Sequence, residues 1–245
     1  MDAIETPNIV EYFAQRLGLA RYLQPDLLGG ILILGAILAG GAMAVRRWRN
    51  PPAPTQNVLE LLIESINGLS LQIIGPAGPR FITLFATLFL FILCANLIGL
   101  LPGFKSPTAN LNINAGLALT VTLAASVVRL REHGLAGYIR HFCGPPYWLA
   151  PLFIVIRVME EVIRPLSLTM RLFGNIMAKE IILSILIYLL TMFFFADDVF
   201  SKILLPVPLI LRPLIILLGV LVSFVQALVF TGLSMVYVGE AVNEH

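Results

Sequence analysis

The chain has 245 residues, of which 58% are hydrophobic and only 12% are charged, and its mean hydropathy is +0.92. A soluble globular domain is roughly 45–50% apolar and about 25% charged, so this composition excludes a water-soluble protein. In hydrocarbon only helices and closed barrels satisfy every backbone polar group, and the apolar runs here do not alternate as barrel strands do. We therefore predict an all-α polytopic membrane protein surrounded by lipid. The net charge of +2 gives no indication of a nucleic-acid partner.

The first 26 residues begin with acidic side chains, whereas a cleavable signal peptide has a basic start followed closely by an apolar core. We expect residues 1–26 to form an extracytoplasmic segment and 27–245 to form a single integral membrane domain. Cys94 and Cys143 lie in or beside apolar segments without metal-ligand spacing. Neither a disulfide nor a metal site is expected, and the sequence suggests no cofactor.

Five apolar stretches are candidates for transmembrane helices, each of which needs about 20 mainly apolar residues. They are 27–45, 80–101, 113–128, 166–196 and 206–238. Over 57–74 polar residues recur every three or four positions, which predicts an amphipathic helix on the membrane surface or against neighbouring helices. If that helix crossed the membrane, the count would be six.

The last two predicted helices are too long to stand upright in a bilayer. At ~1.5 Å per residue, 166–196 alone exceeds ~45 Å, against a hydrocarbon core of ~30 Å. We therefore predict that both helices are strongly tilted and that lateral packing fixes the tilt.

Basic residues follow the first and third predicted spans. They are Arg46, Arg47 and Arg49 after the first, and Arg129, Arg131 and Arg140 after the third. Because cytoplasmic loops carry the excess of Lys and Arg, the N-terminus is predicted outside and the C-terminus in the cytoplasm.

The stretch LSLTMRLFGNIMAKEI, 166–181, places Arg171, Asn175, Lys179 and Glu180 in a mostly apolar run. With ~100° per residue, one helix face collects six polar side chains. These are Arg157, Glu160, Arg164, Ser167, Arg171 and Asn175. Glu180 lies about 180° from Arg171, on the same side as Ser184 and Thr191. The helix therefore has one mainly basic polar face and one acidic polar face.

Arg171 is the residue hardest to explain by structure alone. A central arginine costs from ~2.5 to over ~10 kcal/mol, and it cannot shed its charge, so it needs an acidic partner or a water-filled path. Gln226, on a face of the last helix with Gly219 and Ser223, can bind a guanidinium but cannot neutralise it. We therefore expect the acid to come from another subunit.

The other polar residues have structural interpretations that stay open. Arg157, Glu160 and Arg164 have the spacing of a salt-bridge ladder at the membrane boundary. Lys179 is expected to snorkel towards an interface, and Asn175 could form an interhelical hydrogen bond.

The segments LSLTMRLFGNIMAKE, FVQALVF (224–230), the turn ANLIGLLPG and the tail ending NEH together resemble subunit a of F-type ATP synthases. The resemblance implies a stator in a bacterial inner membrane, beside a rotating ring of small hydrophobic c subunits that each carry a membrane carboxylate. It also implies peripheral-stalk b subunits and assembly into an ATP synthase holoenzyme. The chain would then provide two offset proton half-channels and would not be an enzyme by itself.

The resemblance assigns the essential arginine of that family to Arg171, its asparagine to Asn175, its channel acid to Glu180 and its last-helix glutamine to Gln226. Further residues expected to line the half-channels are Glu160, Arg164, Ser167, Ser184, Gly219 and Ser223. The chain departs from the family pattern at Gly219, where some relatives carry a histidine or an acid. It departs again at Arg157, where an acid is common and for which Glu160 could substitute.

Two other classes of protein were considered. A stand-alone ion channel or secondary transporter often shows internal repeats or broken helices in matching halves, which this sequence lacks. An intramembrane enzyme would need a zinc motif or a Ser–His pair at membrane depth, and His133, His141 and His245 all lie near boundaries or the terminus. The sequence leaves open whether protons or sodium ions are carried.

Overall fold

A computed structural model describes residues 25–46, 54–101, 104–143, 150–196 and 198–243, with the backbone alone at 25, 42–46, 54–55, 136–143 and 150. Its regular structure is helical throughout these residues. The α-helices are α1 Pro25–Arg46, α2 Pro54–Ile74, α3 Ile82–Ile98, α4 Leu111–Cys143, α5 Ala150–Phe195, α6 Val199–Leu204 and α7 Pro206–Asn243. Two 3-10 turns, Gly78–Phe81 and Pro107–Ala109, precede α3 and α4. The predicted segment 1–26 lies almost wholly outside the described residues, as do Arg47 and Arg49.

Within these residues, five helical stretches are long and apolar enough to cross a membrane. They are Gln56–Ile74, Gly78–Ile98, Leu111–Leu135, Pro151–Phe195 and Val199–Asn243. A shorter apolar stretch occupies Asp26–Gly41. The prediction of an all-α polytopic membrane protein with two very long final helices is confirmed. These five stretches differ from the five predicted spans in two ways. They include the 57–74 region, and they leave out the first predicted span, whose apolar stretch is shorter than 18 residues.

The predicted amphipathic helix corresponds to α2. Its polar stripe turns inward along the second half of the helix, where Ser70 is buried and Asn67 is half-buried. The apolar side chains of Val58, Leu61 and Leu71 are exposed instead. This arrangement is expected for a helix whose surroundings are lipid, because apolar side chains then face outward without cost.

Helix α4 is interrupted at Gly134, whose φ of 67° lies in the left-handed region that glycine adopts without steric cost. The predicted span ends at 128, but the helical backbone continues through the following charged residues. Charged side chains such as Arg and Glu are good helix formers, so hydropathy marks the end of the predicted span and not the end of the helix.

Helices α5 and α7 contain 46 and 38 residues and run continuously through Pro165 and Pro213. At ~1.5 Å per residue α5 is ~69 Å long, more than twice the ~30 Å hydrocarbon core. The predicted span 166–196 is thus only the second part of a longer helix.

Two groups of residues form separate compact units. The first comprises the described residues within 1–35, 91–113 and 172–227, and its buried side chains include Ile92, Leu172 and Ile176. The second comprises those within 36–90, 114–171 and 228–245, with Phe85, Val121, Phe230 and Met235 among its buried side chains. Arg171 is in the second unit, and Asn175, Glu180 and Gln226 are in the first.

Candidate functional site

Arg171 is half-buried on α5 and makes no hydrogen bond or ion pair with any other described residue. On the same face of α5, Glu160 and Ser167 are exposed, and Gly174 and Ala178 continue the exposed stripe. A Cβ added at Gly174 would meet nothing within 4 Å. Arg171 therefore has no acidic partner in the described part of the chain, and the exposed residues beside it on this face of α5 are small or polar.

Asn175 and Gln226 are brought together within the first unit. Asn175 Nδ2 donates to Gln226 Oε1 at 2.6 Å, which links α5 to α7. Gln226 is only 4% exposed, and its Nε2 has no partner among the described residues. A buried amide donor left unpaired costs free energy, so this group has capacity for an acceptor from elsewhere.

Lys179 does not snorkel as the sequence predicted. Its Nζ donates to Ser223 Oγ at 2.9 Å, and the same hydroxyl donates to the backbone carbonyl of Gly219 at 2.7 Å. The ammonium is thus satisfied by a neighbouring helix instead of by the interface. Gly219 is buried, and a Cβ there would lie 2.7 Å from Leu100 Cδ2, so the missing side chain permits close packing against Leu100.

Glu180 lies beside a small cavity in the first unit. The cavity has a volume of about 10 Å³, about the space that one water needs. It is lined by Asn96, Gly99, Leu100, Ser106, Ile176, Lys179, Glu180 and Leu183. Glu180 Oε1 is buried without a partner among the described residues. A carboxyl with a free buried oxygen beside a water-sized space is suited to passing a proton.

A chain of hydrogen bonds adjoins this cavity. Ser106 Oγ donates to the carbonyl of Ala95 at 2.7 Å and lies 2.6 Å from Thr108 Oγ1, which donates to Asn96 Oδ1 at 2.8 Å. These bonds hold the Pro107–Ala109 turn against α3. Asn96 and Ser106 were not predicted as site residues, although an asparagine inside an apolar run is a signal in the sequence. Ser184, predicted to line the path, is half-buried and is not part of the cavity lining.

In the second unit, Arg164 pairs with Glu240 at 2.7 Å, and its guanidinium lies over the Tyr237 ring at 5.1 Å from the centroid. The expected ladder with Glu160 is absent among the described contacts, because Glu160 is exposed while Arg164 turns towards α7. Glu240 lies near the C-terminal end of α7.

Glu161 forms a second polar cluster that the sequence analysis missed. Ser126 Oγ donates to Glu161 Oε1 at 3.1 Å, and Arg129 lies 4.0 Å from the other oxygen. Arg129 is 2% exposed, so the positive charge taken as a topology marker is in fact buried. Among the described residues, no group of three or more His, Cys, Asp or Glu side chains could hold a metal ion.

The comparison with protein families matches residues 28–239 to the family described as ATP synthase A chain. The chain belongs to the ATP synthase A chain family. It is 41% identical to ATP synthase subunit a 1 of Syntrophotalea carbinolica over 240 residues, which cover 96% of this chain and 95% of that protein. It is 40% identical to ATP synthase subunit a of Trichlorobacter lovleyi, over 86% of this chain and 84% of the relative. The corresponding protein of Geobacter sulfurreducens is also 40% identical, over 87% and 85%.

Membership of the ATP synthase A chain family confirms the predicted resemblance to subunit a of F-type ATP synthases. It supports a non-catalytic, proton-conducting membrane subunit of an ATP synthase, in place of a stand-alone transporter or an intramembrane enzyme.

Proposed function

We propose that the chain is the stationary side of a rotary proton path, in which Arg171 faces carboxylates carried by a ring of small hydrophobic c subunits. Peripheral-stalk b subunits would hold it against the torque of rotation. The observation that carries this proposal is the exposed stripe of α5, where Arg171 has no acidic partner among the described residues. A ring carboxylate supplies the charge that the stripe lacks.

Arg171 acts on the ring carboxylate by electrostatics. A fixed cation nearby favours the ionised form of a carboxyl, so a protonated ring acid releases its proton on approaching Arg171. The same charge repels hydrated protons and prevents them from leaking directly between the two half-channels. Arginine suits this role because it stays protonated at any physiological pH.

Glu180 relays protons on one side of Arg171. A proton enters by the water-sized cavity beside Asn96 and Ser106, passes through Glu180, and neutralises a ring carboxylate near the Asn175–Gln226 pair. The unpaired Gln226 Nε2 is available to donate a hydrogen bond to that carboxylate.

The exit path on the other side begins at Ser167 and Glu160, which are exposed on the same face of α5. Following the positive-inside prediction, this side faces the cytoplasm of a bacterial cell and the Glu180 side faces outward. Each charge that crosses 100 mV supplies ~2.3 kcal/mol, so rotation must combine several protons for each ATP.

The test is ATP-driven proton pumping in vesicles that contain the whole ATP synthase with Arg171→Ala. We expect pumping to fall to background while the assembled complex is recovered in normal amount, since Arg171 is only half-buried and has no hydrogen-bond or ion-pair partner among the described residues. Arg171→Lys is the matched variant that keeps the charge without the fixed fork geometry. Normal coupled pumping in Arg171→Ala would refute the assignment. Repeating the assay with and without sodium identifies the transported ion.

A further inference from the structure

An apolar groove lies between the end of α5 and the beginning of α7, both within the first unit. Its volume is about 490 Å³, inside the range of roughly 300–1,000 Å³ that small-molecule sites occupy. Leu190 of α5 forms one wall, and Arg212, Pro213, Ile216 and Leu217 of α7 form the other. These α7 residues follow helical spacing, so they make a continuous strip along the helix.

Arg212 is the single charged residue of this lining. It is half-buried and makes no hydrogen bond or ion pair with another residue in the described part of the chain. An arginine beside aliphatic side chains in a membrane protein requires an anion or water. Arg212 stands six residues after the start of α7, a rise of ~9 Å, so it lies near one end of the long helix, where lipid headgroups are found.

We propose that this groove binds a phospholipid with an anionic headgroup. Arg212 binds the headgroup phosphate, because a planar guanidinium can donate two parallel hydrogen bonds to phosphate oxygens. One acyl chain lies along Ile216, Leu217 and Val220, further from the end of the helix. A guanidinium beside an apolar groove between transmembrane helices offers a phosphate contact and an acyl-chain contact in the same place.

The proposal does not depend on the proton path, because none of the groove residues belongs to it. Its occupant is a lipid and not a neighbouring helix, because the groove offers one cation for a headgroup and otherwise only aliphatic side chains for a chain of methylenes.

The test is native mass spectrometry of the detergent-solubilised ATP synthase after exposure to phosphatidylglycerol or phosphatidylcholine. Arg212→Ala should retain phosphatidylglycerol about fivefold less, the factor that one basic residue contributes at an anionic lipid surface. Leu217→Trp, which fills the groove without changing charge, should lose the same lipid. Lys202→Ala removes an exposed cation of α6 outside the groove lining and should lose none.

Several outcomes would overturn the proposal. Arg212→Ala could retain as much phosphatidylglycerol as the parent complex, or Lys202→Ala could lose an equal amount. Displacement of the lipid by inorganic phosphate alone would show a simple anion site. A photo-crosslinker at position 217 that reacted with a protein subunit instead of lipid would show a protein interface. ATP-driven pumping should persist in Arg212→Ala, so failure here and failure of the proton path are separate results.

Discussion

Ser223 is the residue through which Lys179 is bound to the last helix. The hydroxyl accepts a hydrogen bond from the Lys179 ammonium of α5 and donates one to the Gly219 carbonyl of α7, so one side chain bonds to both helices. Ser223 is fully buried and Lys179 is half-buried. Removing the hydroxyl therefore leaves a cation without its acceptor beside Glu180.

Ser223→Ala is expected to destabilise the complex by about 1.5–3 kcal/mol, the usual contribution of a hydrogen bond to a charged group. The measurement is the temperature at which the solubilised ATP synthase loses ATP-driven pumping after reconstitution. Ser184→Ala is the matched control, because Ser184 is half-buried and makes no hydrogen bond among the described residues. Equal losses in both variants would argue against the Lys179 contact.

Asn175 and Gln226 should behave as one unit in proton transfer. Their 2.6 Å hydrogen bond means that either truncation breaks the same interaction. We expect Asn175→Ala and Gln226→Ala each to slow pumping, and the double variant to be no slower than the slower single variant. Contacting residues are commonly coupled by about 0.5–3 kcal/mol, which a double-mutant cycle measures. Fully additive effects would mean that the two side chains act separately.

At the residue scale, the sequence is informative where the prediction depends on a single helix. Arg171 could be singled out from the sequence because its place inside an apolar run is a property of one helix. Lys179 was misjudged because its acceptor belongs to another helix, 44 positions away. Glu160 was predicted instead of Glu161. Neighbouring side chains point ~100° apart around the helix axis, and only packing shows which acid contacts Ser126.

At the scale of elements, the turn before α3 is packed directly on α2. A Cβ at Gly78 would lie 2.6 Å from the backbone oxygen of Ser70, a distance that real Cβ atoms essentially never show. Because a backbone oxygen in a helix cannot move aside as a flexible side chain can, the turn itself must shift. Glycine at 78 thus fixes how closely Gly78–Phe81 approaches α2.

Gly78→Ala should therefore destabilise the chain by about 1–3 kcal/mol, the cost of overpacking a close contact. Gly68→Ala is the control, in α2 itself, where an added Cβ meets nothing within 4 Å. Alanine at 68 should be neutral or stabilising by up to about 1 kcal/mol, because alanine favours the helix. The yield of assembled complex and its heat stability are the readouts. A Gly78→Ala complex as stable as the Gly68→Ala complex would contradict the packing argument.

Helices were predicted better than their ends. Apolar length located the regions of α3, α5 and α7, because lipid imposes long apolar runs. Pro165 and Pro213 both lie inside continuous helices, where neighbouring groups can compensate for the lost backbone hydrogen bond. The Pro107–Ala109 turn was not predicted, since its stability comes from side-chain bonds to α3 and not from local sequence.

At the scale of the whole molecule, membership of the ATP synthase A chain family means that the chain works inside a larger assembly. Its polar groups fall into two classes. Arg164, Lys179 and Asn175 are satisfied within the chain, and they hold α5 against α7. Arg171 and the Nε2 donor of Gln226 have no partner among the described residues, so they are the groups that the proposed ring would complete.

A crosslinking experiment tests which face of α5 meets that partner. Ser167 lies about 40° from Arg171 around the helix, whereas Val162 lies about 180° away, and both side chains are exposed. We expect Ser167→Cys, in a complex whose ring subunits carry a cysteine near their membrane acid, to form a disulfide with the ring. Val162→Cys should give no ring product under the same oxidation, because it points away from the guanidinium. Mass spectrometry of the bands identifies the partner. Ring products at Val162 and none at Ser167 would reverse the proposed orientation, and ring products at neither position would remove the ring as the source of the missing acid.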